Sequence, residues 1–188
     1  MNIFQAGLES ISPYSQSRHY ETPKLDKESA DAYEKRTWME RLHVSEDGHV
    51  FIPPMAFKNC LSDAAKFLGM KVPDKAKATY TKHFEAGVLI MDPLPLPETK
   101  EQVQGEWLFV PSNGRRGGGS RVLKCFPYIP AWKGEVTIYI LDNTITEEAL
   151  RYHLDGAGKF IGIGRFRPRN NGFYGRFKVT SLNLVGEK

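Results

Sequence analysis

The chain has 188 residues, 26 of them basic and 22 acidic, for a formal net charge of +4, with 40% hydrophobic and 12% aromatic residues. That length suits one domain with a real core. The near-neutral balance excludes a bulk polycation, and without a secretory leader or a bilayer-length apolar run the sequence reads as cytosolic with no membrane partner.

In chain order, residues 2–11 alternate loosely and suit a first strand. Residues 12–24 follow without a period, and their polar side chains, Arg18 and His19 among them, suit either a surface loop or contacts to phosphate. Residues 26–41 read as a charged helix packed through Trp38, Met39 and Leu42. The clearest helical signal comes next. Pro53 and Pro54 set an entry; Phe57, Cys60, Leu61, Ala64, Ala65 and Leu68 recur at helical spacing; Gly69 stops the run. Lys58 lies off that stripe, on a solvated face or against a phosphate. Residues 71–104 are irregular, with an apolar run broken by Pro93, Pro95 and Pro97, and they read as an inserted arm.

Residues 105–132 read as strand, glycine-rich loop and strand, and the loop carries Arg115 and Arg116. No Gly-Lys-Ser/Thr closes that loop, so it is not a phosphate-binding P-loop. Residues 133–164 then read as strand, helix, strand, with Thr144 and Glu147 as a capping box and Phe160, Ile161 and Ile163 on the returning strand. Residues 177–185 alternate and close the sheet. Cys60 and Cys125 are far apart among apolar neighbours and read as reduced core thiols.

The stretch from Gly156 to Phe177 concentrates the chemistry. It holds six glycines, Lys159, Arg165, Arg167, Arg169 and Arg176, and the rings Phe160, Phe166, Phe173, Tyr174 and Phe177, with no acid between Asp155 and Glu187. Arginine forks suit phosphates, rings suit unpaired bases, and glycine permits close backbone approach. The same residues suit a glycine-rich hairpin with a solvated basic face.

Two βαβ-like units predict an α+β fold: a ferredoxin-like or RNA-recognition-type antiparallel sheet with two packing helices and the inserted arm. Here the segment DGAGKFIGIGRFRP before a terminal strand resembles the C-terminal glycine-rich signature of the RAMP superfamily (repeat-associated mysterious proteins), the RNA-binding subunits of CRISPR effector complexes. IPPMAFKNCLSDAAKFLG is similar to that family's first helix, although Pro54-Met55 stands where the family has Gly-Ser. At this length the chain suits a solitary, phage-borne relative. The resemblance implies a single RAMP-like domain that binds single-stranded RNA, or single-stranded DNA, side by side with copies of itself and with other effector-complex subunits. It implies contacts from Lys58, Arg115, Arg116, Arg165, Arg167 and Arg169; the residue chemistry adds Arg18 and Arg176 as phosphate contacts, with Phe173 and Tyr174 stacking on bases.

No cofactor and no metal are expected, since paired carboxylates and Cys/His ligand spacing are absent. Some RAMP relatives cut RNA, and a metal-independent endoribonuclease would use His19 as its acid or base. A third reading is an interaction protein that docks a partner through the arm. Binding without catalysis is the expected activity.

Overall fold

The computed structural model describes residues 1–75, 77–114, 117 and 119–187. Four strands make the central sheet: β1 (Asn2–Ser10), β3 (Val88–Leu89), β7 (Lys133–Ile140) and β8 (Phe177–Glu187). Their order is β3-β7-β1-β8 and every pairing is antiparallel. Helix α2 (Pro54–Leu68) lies between β1 and β3 in the chain, and α4 (Glu147–Gly156) lies between β7 and β8. Reduced to these six elements the chain runs βαββαβ, which is the ferredoxin-like topology expected from sequence.

Alternation puts Phe4, Ala6 and Leu8 of β1 and Val136, Ile138 and Ile140 of β7 on one sheet face. They are buried there with Phe57, Leu61, Ala64 and Ala65 of α2 and Leu150 and Leu154 of α4. Gly69 ends α2 in the left-handed region at φ 58, returning its N–H to the Ala65 carbonyl at 3.2 Å. The opposite face is polar: Gln5 donates to Glu135 at 2.7 Å and Lys178 pairs with Glu9 at 3.1 Å.

Two insertions decorate this core. The first carries α1 (Ala30–Thr37), a 3-10 turn at Trp38–Arg41 and β2 (His49–Ile52). The second carries β4 (Leu94–Thr99) and the hairpin of β5 (Gln104–Pro111) and β6 (Arg121–Tyr128). They bind each other, since β2 pairs with β4, Tyr14 bridges Ile129, and α1 packs on β6.

Three expectations need correction. Residues 71–104 do not form an arm, because Val72, Tyr80, Phe84, Val88, Ile90, Leu94, Leu96 and Val103 are all in the core. Leu94 and Leu96 point inward while Pro95 and Pro97 face out from a two-stranded ribbon, where their missing N–H costs little. A short helix, α3 (Thr81–Ala86), fills part of the same segment.

The cap of α4 is Thr146, whose Oγ1 accepts from the Ala149 N–H at 3.2 Å, and not Thr144. Asp142 delays the start by holding the turn before it, accepting from the Thr144 and Ile145 N–H groups. Finally, Phe160 and Ile161 do not begin a strand. The helix runs on as a π turn over Ala157–Ile161 and stops at Gly162, φ 72. An Ile-x-Ile pair fits the end of a helix as readily as a strand.

Candidate nucleic-acid interface

After Gly162 the glycine-rich segment folds back on the chain that follows β1. Arg165 N–H donates to the Ser15 carbonyl at 2.9 Å, Gly175 N–H to Pro13 at 2.7 Å, and Ile11 N–H to Arg176 at 2.8 Å. Gly164, φ 74, lies so close to Ser15 and Tyr14 that a Cβ would collide with both. The glycines therefore serve contacts within the molecule. Phe166 adopts φ 56, a costly conformation for a ring-bearing residue, and its carbonyl is held by the Tyr174 N–H at 3.1 Å.

Most of the basic residues chosen from sequence already have internal partners. The Arg165 guanidinium stacks 3.5 Å from the Phe126 ring centroid, and its Nη1 is 3.9 Å from Glu106. Burial lowers its pKa. Arg167 and Arg169 both reach Asp63 of α2, at 3.8 and 3.1 Å. Lys58 gives its three protons to Ser62 Oγ and to the Phe84 and Glu85 carbonyls, closing the end of α3. Arg176 donates to the Lys159 carbonyl at 2.9 Å.

Tyr174 is buried, with its hydroxyl donating to Glu106 at 2.8 Å, and its pKa is pushed up to about 12 by burial and that bond. It therefore cannot stack on a base. Phe173 is 53% exposed and meets Tyr174 and Phe166 edge to face. Arg18 is exposed. Arg115 and Arg116 lie outside the described residues.

What these residues frame is a groove of about 360 Å³. The loop residues Arg165, Phe166 and Asn170 form one side; Ser17 and His43 form the other; Pro53 and Ala56 at the start of α2 form its end. Pro53 offers α2 no side-chain cap and its first turn holds no acid, so the positive end of the helix dipole is uncompensated. Arg18 is close enough to His43 to depress its pKa, adding to the larger effect of burial. The groove thus holds Arg165 and Phe166, with Arg18 near its His43 wall, and leaves Lys58, Tyr174 and Arg176 elsewhere. His43 was not singled out, because a histidine after a short helix carries no local signal. His19 is exposed beside Glu21 at 3.4 Å and does not line the groove.

The sequence also concealed a buried ion cluster. Glu34 of α1 is fully buried between Arg41 at 2.7 Å, Lys124 at 2.8 Å and the Cys125 N–H at 2.8 Å. Burial alone would raise its pKa, but these donors hold it below the ordinary value. Arg41 also lies 5.2 Å over the Phe126 ring that carries Arg165. The hairpin base is therefore fixed to both the first insertion and the glycine-rich loop.

No protein-family model matches the chain, and no curated protein matches its sequence. Solved structures do. A chain in the cryo-EM structure of the Type III-B Cmr-beta bound to cognate target RNA aligns over 98% of this chain, at a TM-score of 0.53 and 12% identity. This chain spans only 60% of that one. The crystal structure of Cmr6 from Pyrococcus furiosus aligns over 94% of this chain and 97% of its own, at a TM-score of 0.51 and 13% identity. The likeness is one of fold, and it agrees with the ferredoxin-like α+β architecture expected from sequence.

Proposed function

We propose that the chain binds single-stranded nucleic acid, RNA in preference to DNA, as a non-enzymatic subunit of a CRISPR-type effector assembly. The observation that carries this reading is the groove, where Arg165 and the uncapped start of α2 offer positive charge beside the ring of Phe166, with Arg18 near its His43 wall. Phosphate binds at such helix ends, and rings at the rim stack on bases without reading sequence. The preference for RNA is supported by the likeness to a chain solved with cognate target RNA. Side-by-side assembly with copies of itself or with other subunits is supported by the β5–β6 hairpin, which leaves Trp107 and Phe109 exposed.

The test is fluorescence anisotropy with single- and double-stranded RNA and DNA at two salt concentrations. Arg18→Ala should reduce the salt slope by roughly 0.7 for single strands and weaken all sequences alike. Phe166→Ala, which removes the ring that lines the groove, should cost about 1–3 kcal/mol of affinity with an unchanged melting temperature. Unaltered affinity and slope in both folded variants would remove the groove from the binding surface. A nuclease reading now rests on His43, since it lines the groove: metal-independent cleavage lost in His43→Ala would replace the binding-only reading.

A further inference from the structure

The glycine-rich loop straddles α2. Arg165 and Phe166 line the groove on one side, whereas Arg167 lines a second, larger cleft of about 640 Å³. That volume is in the range of small-molecule sites. The cleft has two unlike ends. One wall is apolar, built from Met55 of α2 and from Leu89 and Ile90 at the end of β3. Met55 is 55% and Leu89 40% exposed, and neighbouring Met91 is exposed as well. Large apolar side chains thus stand in water around a concavity. β3 is an outer strand of the sheet, paired only with β7, so its far edge has no strand partner among the described residues. Backbone donors and acceptors of such an edge are free to meet a planar polar group.

The other end is cationic and incompletely paired. Arg167 has five donors, yet among the described residues its ion pair, to Asp63, is long at 3.8 Å, and its Nε is buried without a hydrogen-bond partner. Lys66 pairs with Glu85 at 2.8 Å on the open surface, where such a pair contributes little and is readily shared with a ligand anion. Asn59 lies between the two ends and offers a donor and an acceptor. A mere seam of salt bridges would account for the polar end, but not for the exposed apolar wall or the open strand edge opposite it.

We infer that this cleft takes one nucleoside monophosphate unit, with its base between Met55 and Leu89 against the β3 edge and its phosphate at Arg167 and Lys66. The site is separate from the groove and stands or falls without it. The ligand is either a free nucleotide or the phosphorylated end of a strand, which share this chemistry.

The full chain, isotopically labelled, is titrated by NMR with AMP, CMP, GMP and UMP, and separately with inorganic phosphate and adenosine. A nucleotide should move the amide signals of Asn59, Leu89, Ile90 and Arg167, while phosphate and adenosine alone bind at least about tenfold more weakly. Met55→Ser, a surface change that leaves the fold intact, and Arg167→Gln should each weaken binding about tenfold. Arg18→Ala in the groove should leave it unchanged. A 5′-phosphorylated pentanucleotide that displaces AMP assigns the site to strand ends, and one that fails to do so assigns it to free nucleotides. The proposal is overturned if no nucleotide moves these signals, if the shifts fall on the groove, if Met55→Ser binds unchanged, or if phosphate alone saturates the same signals equally well.

Discussion

His153 of α4 is fully buried against Phe84, with ring centroids 4.3 Å apart, and its Nδ1 donates to the Ala149 carbonyl at 2.6 Å. Its Nε2 has no hydrogen-bond partner among the described residues, and burial favours the neutral ring and lowers the pKa. The unfolded histidine takes a proton at about pH 6.5, whereas the folded one resists, so stability should fall as pH drops through that value. The limit is about 1.4 kcal/mol per pH unit. Melting at pH 7.5 and 5.5 should show this decline, and His153→Phe should make it shallower, leaving the part that comes from the half-buried His43. The window lies above the carboxylate range: Asp142, held down to about 2 chiefly by its 2.6 Å bond to His83, stays ionised throughout. Both thiols are buried and free, as their apolar neighbours suggested; burial raises Cys60 to about 12 and Cys125 to about 11.

Among the elements, α2 was legible almost residue by residue. A stripe of apolar side chains at helical spacing and a terminal glycine are local signals, and the structure keeps both. Glu34 was not legible, because two of its three partners, Lys124 and Cys125, lie some ninety positions away and nothing near it in sequence announces them. Glu34→Ala leaves the Cys125 N–H buried without its acceptor, and leaves Arg41 buried against the Cys125 carbonyl without a countercharge. It should cost about 3–5 kcal/mol in chemical denaturation, with Glu34→Gln costing less because it retains one acceptor. The glycine-rich loop was legible as a loop and misleading as a site. Its glycines answer to Ser15, Phe166 and Phe177, which only the folded chain brings near, and Asp63 claims two of its arginines. Charge read along a sequence counts cations without their partners.

For the molecule as a whole, alternation in residues 2–11, 133–141 and 177–185 identified the three long strands, and two helical stripes identified the helices that cover them. Strand order and the pairing of the two insertions depend on contacts between distant segments and left no local trace. The reading of residues 71–104 as an arm failed for that reason: prolines mark an edge, and an edge can still present leucines to the core. Deleting residues 74–100 should therefore abolish the cooperative melt, since it removes Tyr80, Phe84, Val88, Leu94 and Leu96 together with β3. A folded deletion product would contradict this placement. The position of β1 has a consequence during synthesis. Strand β1 is made well before both of its neighbours, β7 and β8, with Glu9 opposite Lys133 on one side and Lys178 on the other. At about 5–20 residues per second, the nascent chain holds an apolar β1 unpaired for on the order of ten seconds. A truncated message would thus release a chain with its central strand uncovered and both of its edges open to other chains.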